Sequence, residues 1–391
     1  MKVLILGGDG YLGWPTAMYL CDKGWEVQVV DNFSKRCIEM EEGVSPLSEV
    51  PSLRNRISSW KKLTGKDIRL HVGDILNDRF IYSVLESFQP DSIVHYAEQP
   101  SAPYSMRGRS TAIYTQYNNV LGTLNLLFAI QSKCPDAHLI KLGSMGEYGT
   151  PNIDIEEGYL SVKHNDREDQ ILFPKRPHSF YHLSKVHDSN NIFFACNNWG
   201  IRATDLNQGV VYGVHTDQTL YDPSLCTSFH YDDVFGTVVN RFCVEAVSGR
   251  PLTIYGRGTQ KRSFLNIRDT LRCVELALIN PAEKYEFRVF NQFTETFSIN
   301  ELAEKVQVAG KTLGYDVTQL SIPNPRQEKE DHYYNPKNDN LLNLGLIPRR
   351  LSDSLVEEMI THIEANKDRI DKSVFEPRVN WSSNTIDKDV P

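Results

Sequence analysis

A doubly wound α/β fold, with a parallel sheet covered by helices on both faces, is predicted by three observations. Strand-like and helix-like segments alternate through the first two hundred residues. A glycine-rich turn, Gly7-Gly8-Asp9-Gly10-Tyr11-Leu12-Gly13, follows the first apolar run at once. An acidic residue, Asp31, ends the second run. Together they describe a Rossmann-type domain, whose ligands bind beyond the carboxyl ends of the strands.

The apolar, β-branched runs are Val3–Leu6, Val27–Val30, Ile68–Val72, Ser92–Tyr96, His138–Leu142 and Ala203–Leu206. Near-continuous apolar runs suit strands buried on both faces. Helical patterns lie between several of them, as in Thr111–Ser132 and Tyr181–Asn197. Two stretches break the rhythm. Residues 35–56 carry Glu41, Glu42, Pro46 and Pro51 and read as an inserted loop, and residues 150–177 read as a lid-like excursion. The Rossmann domain is assigned to residues 1–206. Residues 207–391 form a smaller substrate-binding region, with some chain returning to the sheet, and helices are expected near Asp269–Ile279 and Ile299–Leu313. Glu328–Asp331 reads as a solvated acidic run, and the chain from about Phe375 as a loose polar tail.

Composition excludes several classes. The net charge of -8 argues against a nucleic-acid surface, which needs clustered Lys and Arg. No apolar run approaches the roughly 18 to 20 residues that span a bilayer, and Met1–Leu6 is too short for a signal peptide. The seven cysteines form no C-x-x-C pair, so neither a zinc site nor a disulfide framework is indicated, no metal is expected, and a reducing, cytoplasmic setting follows.

Gly7, Gly10 and Gly13 are spaced G-x-x-G-x-x-G. One glycine permits the tight turn, one lets a pyrophosphate approach the backbone, and one lets the helix pack against the sheet. The helix N-terminus then offers N–H groups and a partial positive charge to the phosphates. Asp31 is placed to accept from both ribose hydroxyls, and its charge opposes the 2′-phosphate of NADP. NAD is therefore favoured, while Lys35 and Arg36 nearby keep NADP open. Asp74-Ile75, just past the third strand, is placed to flank the adenine, or simply to cap the next helix.

Tyr181-His182-Leu183-Ser184-Lys185 sets Tyr and Lys at i and i+4 on one helix face. A Lys cation favours the phenolate of a neighbouring Tyr, which can then accept a hydroxyl proton as hydride leaves. Ser144 ends the fifth strand, where its hydroxyl can bond the same substrate oxygen. Tyr-x-x-x-Lys alone is common by chance; its place after a Rossmann half gives it weight.

These residues resemble the extended short-chain dehydrogenase/reductase superfamily, most of whose members act on nucleotide sugars. Longer blocks narrow the resemblance. Leu142–Ile155, Ser101–Met106, Phe180–Ser189, Asp205–Gly213 and Phe287–Glu295 are similar to the UDP-sulfoquinovose synthase family. That resemblance implies UDP-glucose and sulfite as substrates, retained NAD, a homodimer, and a formal place among carbon-sulfur bond hydrolases. It implies C4 oxidation, loss of water across C5 and C6, sulfite addition at C6 and C4 re-reduction. It adds Tyr11, Asn32, Ser34, Gln99 and Asn118 to the cofactor site. It offers Glu147 and His182 for the extra proton transfers, which sequence does not separate. Substrate contacts are expected from Ser144, Met145, Gln208, Val211, Tyr255, Gln260, Arg262 and Arg326.

Two departures stand out. Related dehydratases carry Asp-Glu after the catalytic Ser or Thr, whereas this chain has Met145-Gly146. Plant-like synthases have Arg after the Gln of the next block, whereas this chain reads Glu98-Gln99-Pro100-Ser101. Arg107, Arg109 or a water are open as replacements. Another UDP-sugar 4-epimerase or 4,6-dehydratase is the nearest alternative, and a non-catalytic NAD-binding regulator a remote one.

Overall fold

Five β-branched, apolar runs become β1 (Lys2–Leu6), β2 (Glu26–Asp31), β3 (Ile68–Val72), β4 (Ser92–His95) and β5 (His138–Ser144). In a computed structural model, which describes residues 1–326, 331–379 and 381, they join strands Arg202–Gln208 and Phe287–Gln292 in one sheet. From one edge the order is 287–292, 202–208, β5, β4, β1, β2, β3, and every pairing is parallel. The order reverses between β1 and β4, so a crevice opens there at the carboxyl ends. Strand 287–292 is the expected return of the chain, some 80 residues after its neighbour.

Both sheet faces are packed. Val3, Ile5, Val27 and Val29 point into one apolar cluster with Trp14, Met18 and Trp60. Leu4, Leu6, Val30 and Ile93 point into another with Leu126, Ile130 and Ile192. Alternate residues of one strand thus feed opposite cores, as the pleat requires. A third cluster, including Phe229, Phe242, Phe264, Leu302 and Ile360, builds the smaller region.

Three expectations need correction. Residues 35–56 are largely helical, within helices Ser34–Glu42 and Leu53–Thr64. Glycine at 43 and 65, both in left-handed conformation, ends each of these helices, and the prolines that suggested a loop, Pro46 and Pro51, lie in the irregular stretch 43–52 between them. The 150–177 excursion holds an antiparallel hairpin, Tyr159–His164 with Arg167–Leu172, turning at Asn165-Asp166, both with positive φ. The stretch after Phe375 is anchored at its start. Phe375 is buried against Tyr231, and the Arg378 guanidinium bonds Asp233 and the Glu42 carbonyl. Glu328–Glu330 and the tail from Ser382 lie outside the described residues.

Candidate active site

The carboxyl ends of β1, β2, β4, β5 and strand 202–208 open into one cavity of about 510 Å³, closed on the far side by residues 228–263 of the smaller region.

At the β1 end the glycines are set by sterics. A Cβ on Gly13 would stand 1.9 Å from the Gly7 carbonyl oxygen, and one on Gly7 would stand 2.8 Å from the Tyr96 carbonyl carbon. Gly7 also takes φ 89°, a region that favours glycine. Gly10 has no such close neighbour, which leaves its Cα face to the cavity. Helix Gly13–Asp22 begins without a side-chain cap; Trp14 and Thr16 give their N–H groups to the Gly10 and Leu12 carbonyls and Pro15 has none, so the N–H left for a ligand at this helix end is that of Gly13. Asp31 accepts from the N–H groups of Asp9 and Phe33, both at 2.7 Å. Burial raises its carboxyl to about 6, against the pull of those two donors. This cradle fits a dinucleotide: space only glycine leaves, an open helix end and an acid at the ribose position.

Gly7, Gly10, Tyr11, Gly13, Asp31, Asn32, Ser34, Lys35, Ile75, Asn118 and Tyr181 line the cavity. Arg36, Asp74, Gln99 and Lys185 do not. Arg36 donates to both oxygens of Asp9 (2.5 and 3.1 Å) and to the carbonyls of Val50 and Pro51. Its cation neutralises the glycine loop's own aspartate instead of facing a ribose. Asp74 accepts from Asn32 Nδ2 and from Leu76 N–H, a local turn ahead of helix Asp78–Phe88, which Asn77 caps. Gln99 is turned inward, its amide bonded to Ser101 and Thr115. Asn118 owes its position to a π-turn, Tyr117–Leu121, in the helical run 109–133.

The helix of the candidate catalytic pair, Phe180–Trp199, starts at Ser179, whose hydroxyl accepts from the His182 N–H and also lies 2.8 Å from His182 Nδ1. One residue thus caps the helix and fixes the imidazole. The other ring nitrogen faces Gly146, where a Cβ would stand 2.3 Å from it. Met145-Gly146 therefore marks the place an imidazole occupies. Burial, with Arg326 and Arg262 adding to it, lowers His182 to about 3 despite Glu147, so the ring is neutral at ordinary pH. Tyr181 packs against it, ring centroids 4.9 Å apart. Lys185 Nζ lies 5.7 Å from the Tyr181 ring centroid and donates to the Leu142 carbonyl at 2.5 Å. Burial pushes the Tyr181 phenol up, and the Lys185 ammonium opposes that rise. Ser144 lines the same wall, its Oγ accepting from Gly146 N–H.

Glu147 is not where a substrate acid or base would stand. It is fully buried and absent from the cavity wall. Its carboxylate accepts from the Ser144 N–H at 2.8 Å and from the ammonium groups of Lys141 (3.3 Å) and Lys175 (2.5 Å). Burial would raise it, but the two cations hold it at about 2.

Met145, Gln208, Val211, Tyr255, Gln260, Arg262 and Arg326 all line the cavity. Gln260 Oε1, Ser228 Oγ, Thr237 Oγ1 and Asn240 Oδ1 are buried there without a hydrogen-bond partner, an arrangement that a polar ligand would satisfy. The last three, with Arg241 and Trp381 on the same wall, were not foreseen, and no local spacing marks them. Glu98 was also missed, although an acid just past the run Ile93–Tyr96 was a usable signal. Pro100 lines the cavity, whereas neither Arg107 nor Arg109 does; Arg107 is paired with Glu42.

Residues 3–291 match the model of the NAD dependent epimerase/dehydratase family. The chain is 55% identical over 380 residues to a spinach protein named UDP-sulfoquinovose synthase, chloroplastic, covering 97% of this chain and 79% of that one. It is 42% identical over 384 residues to the UDP-sulfoquinovose synthase of Sulfolobus acidocaldarius, covering 97% and 98%. Among solved structures it is similar to a Stenotrophomonas UDP-glucose 4-epimerase with bound NAD, with TM-score 0.73, 16% identity and coverage of 95% and 100%. That likeness concerns the fold.

Proposed function

The chain belongs to the UDP-sulfoquinovose synthase family, within the NAD-dependent epimerases and dehydratases, and from that premise we propose that it joins sulfite to UDP-glucose to give UDP-6-sulfo-6-deoxyglucose. Near-full-length likeness to two synthases carries this reading, and Gly146 beside His182 supports it against a plain dehydratase.

NAD is the cofactor; when bound it takes up a hydride from the sugar and returns it at the end, so no outside oxidant is consumed. Gly7, Gly10, Gly13 and Asp31 would hold it, with Asn32, Ser34, Lys35, Ile75 and Asn118 along its length. Tyr181 accepts the proton of the C4 hydroxyl, and Ser144 bonds the same oxygen. The ketone so formed acidifies the C5 proton. Loss of that proton and of the C6 hydroxyl leaves a double bond between C5 and C6. The sulfur of sulfite adds at C6, C5 regains a proton, and C4 is reduced again. In sum a C–O bond becomes a C–S bond and one water leaves; the reverse direction, hydrolysis of that C–S bond, is what a hydrolase classification names.

His182 is our candidate for the proton donor to the departing C6 hydroxyl. The Ser179 hydroxyl accepts from a backbone N–H and has its own proton to give to Nδ1. That arrangement leaves the other ring nitrogen as an N–H donor facing the C6 hydroxyl's exit. Glu147 serves instead as the buried counter-charge that holds the strand-to-turn backbone at Ser144. Gln208, Gln260, Arg262 and Arg326 would take the nucleotide sugar, an arginine being suited to a diphosphate.

Mass spectrometry of the products from UDP-glucose and NAD, with and without sulfite, tests the reading. A sulfosugar nucleotide that appears only with sulfite is expected. An epimer or a released 4-keto product without sulfite would replace the synthase by its nearest relatives.

We also propose a homodimer. Ile113, Tyr117, Leu121 and Phe128, spaced by four, four and seven along the 109–133 helical run, are all exposed, as is Phe194 on the adjoining catalytic helix. An apolar stripe of this kind marks an interaction face, and two copies of a helix pair bury it by a two-fold contact. Among the described residues no helix is long and apolar enough to cross a membrane. A reducing compartment suits seven unpaired cysteines; the cytoplasm is our assignment, although the spinach relative is named chloroplastic.

A further inference from the structure

Behind the Tyr181 wall lies a second acid that the reaction scheme above does not use. Glu98 lies just past the end of β4, after Tyr96 and Ala97, lines the cavity, and is 2% exposed at its side chain. One carboxylate oxygen, Oε1, stands 2.8 Å from Lys185 Nζ. The other, Oε2, is buried with no hydrogen-bond partner. A buried carboxylate held by a single cation is costly unless that cation needs it. The Lys185 ammonium also donates to the Leu142 carbonyl and lies over the Tyr181 ring, neither of which carries a charge, so Glu98 is its charged anchor.

We propose that Glu98 is a positioning residue for the reaction: its carboxylate holds the Lys185 ammonium beneath Tyr181, and its charge sets how readily that phenol gives up its proton. The proposal rests on the functional reading above, since it concerns the same phenol. Its physical content is a balance. Lys185 at i+4 favours the phenolate, whereas Glu98 across the ammonium opposes it, and both act through a buried, low-dielectric space. The direction of the Tyr181 shift agrees, because burial, Glu98 and Glu147 raise it while Lys185 and Lys141 lower it. The other groups facing this cluster are accounted for. His95 on β4 is held at about 3 by burial and is neutral. His182 on the catalytic helix is neutral for the same reason. Lys141 on β5 is matched by Glu147 and Asp205. Asp188, one turn along the helix from Lys185, is fully buried, and burial beside Glu98 lifts it well above the carboxylate range. Of the two acids, Glu98 is the one in contact with the Lys185 ammonium.

The test is a carbon NMR titration of tyrosine-labelled, full-length protein without cofactor, with the Tyr181 signal assigned by its loss in Tyr181→Phe. Glu98→Gln lowers the Tyr181 midpoint by about one unit or more, the scale of removing a nearby charge. Glu98→Asp, which retracts the charge by one methylene, gives a smaller fall and serves if the glutamine variant does not fold. Asp188→Asn, which leaves the Glu98–Lys185 pair intact, shifts the midpoint less. A second readout is the absorbance of reduced cofactor formed when UDP-glucose is added to the NAD-loaded protein. Its acid limb moves down in Glu98→Gln by the same amount. An unmoved midpoint in both Glu98 variants, or an equal shift in Asp188→Asn, overturns the proposal. If wild-type protein forms no reduced cofactor with UDP-glucose at any pH, the functional reading fails instead, and the NMR titration still decides the role of Glu98.

Discussion

In the proposed scheme, proton transfer from His182 depends on Gly146. Its missing side chain is the room taken by the His182 imidazole, so Gly146→Ala must push that ring aside while keeping the backbone, whose φ is not in the left-handed region. A displacement near 1 Å costs a reaction about 10²-fold. We expect Gly146→Ala to keep C4 oxidation, read as reduced cofactor on adding UDP-glucose, and to lose sulfosugar formation by roughly that factor. Equal loss of both would remove His182 from the C6 chemistry. Glu147 behaves in the opposite way. Glu147→Gln leaves Lys141 and Lys175 facing an uncharged amide in a dry interior, at a cost of about 3 to 5 kcal/mol, so its thermal midpoint should drop clearly. A fully stable but inactive variant would return Glu147 to the list of proton donors. The two candidates could not be told apart from spacing, because what disarms Glu147 is Lys141 on β5 together with Lys175, 28 residues away on the far side of a hairpin. The capping of His182 by Ser179 was, by contrast, readable from three residues.

Strands and the catalytic helix were legible because their signals are local: apolar β-branched runs, a serine cap at 179 and glycine at 200. The helix Ser34–Glu42 was not, since its only buried apolar residue is Ile38 and its Pro-bearing neighbours read as loop. The π-turn at Tyr117–Leu121 was also invisible, yet it brings Asn118 to the cavity and sets Asn119 Nδ2 2.9 Å from Ser184 Oγ on the catalytic helix. Its consequence is a rigid pair of helices with an apolar outer face. Leu121, 42% exposed, lies in the middle of that stripe. Leu121→Glu buries no new group in the monomer but sets two carboxylates against each other across a two-fold contact. Sedimentation velocity should show a dimer for the wild type and a monomer for the variant, with unchanged circular dichroism. A wild-type monomer at micromolar concentration would end the dimer proposal.

Across the whole molecule the interior holds an unusual number of titratable groups in their neutral forms, and their signs oppose. Burial holds His95, His138 and His182 at about 3, against 6.5 for a free histidine. Between these values the unfolded chain binds protons that the folded one refuses. Their contribution is complete above about pH 6.5 and is lost as pH falls toward 3. Asp31 and Glu157 act the other way, since burial raises them to about 6 and about 7. Folding then favours their protonated forms, a contribution present at low pH and lost as pH rises through those values. The net slope between pH 7 and 5 is a difference of opposing effects, so a single wild-type curve does not separate them. His138 does. It lies on β5 away from the cavity wall, fully buried, with Nε2 2.9 Å from Thr204 Oγ1, so Gln can replace it without a charge to exclude. Wild type should lose on the order of 2 kcal/mol more than His138→Gln between pH 7 and pH 5, measured by urea unfolding of cofactor-free protein. Parallel pH curves for the two would mean that His138 takes up its proton in the folded state, and that this part of the sheet admits water.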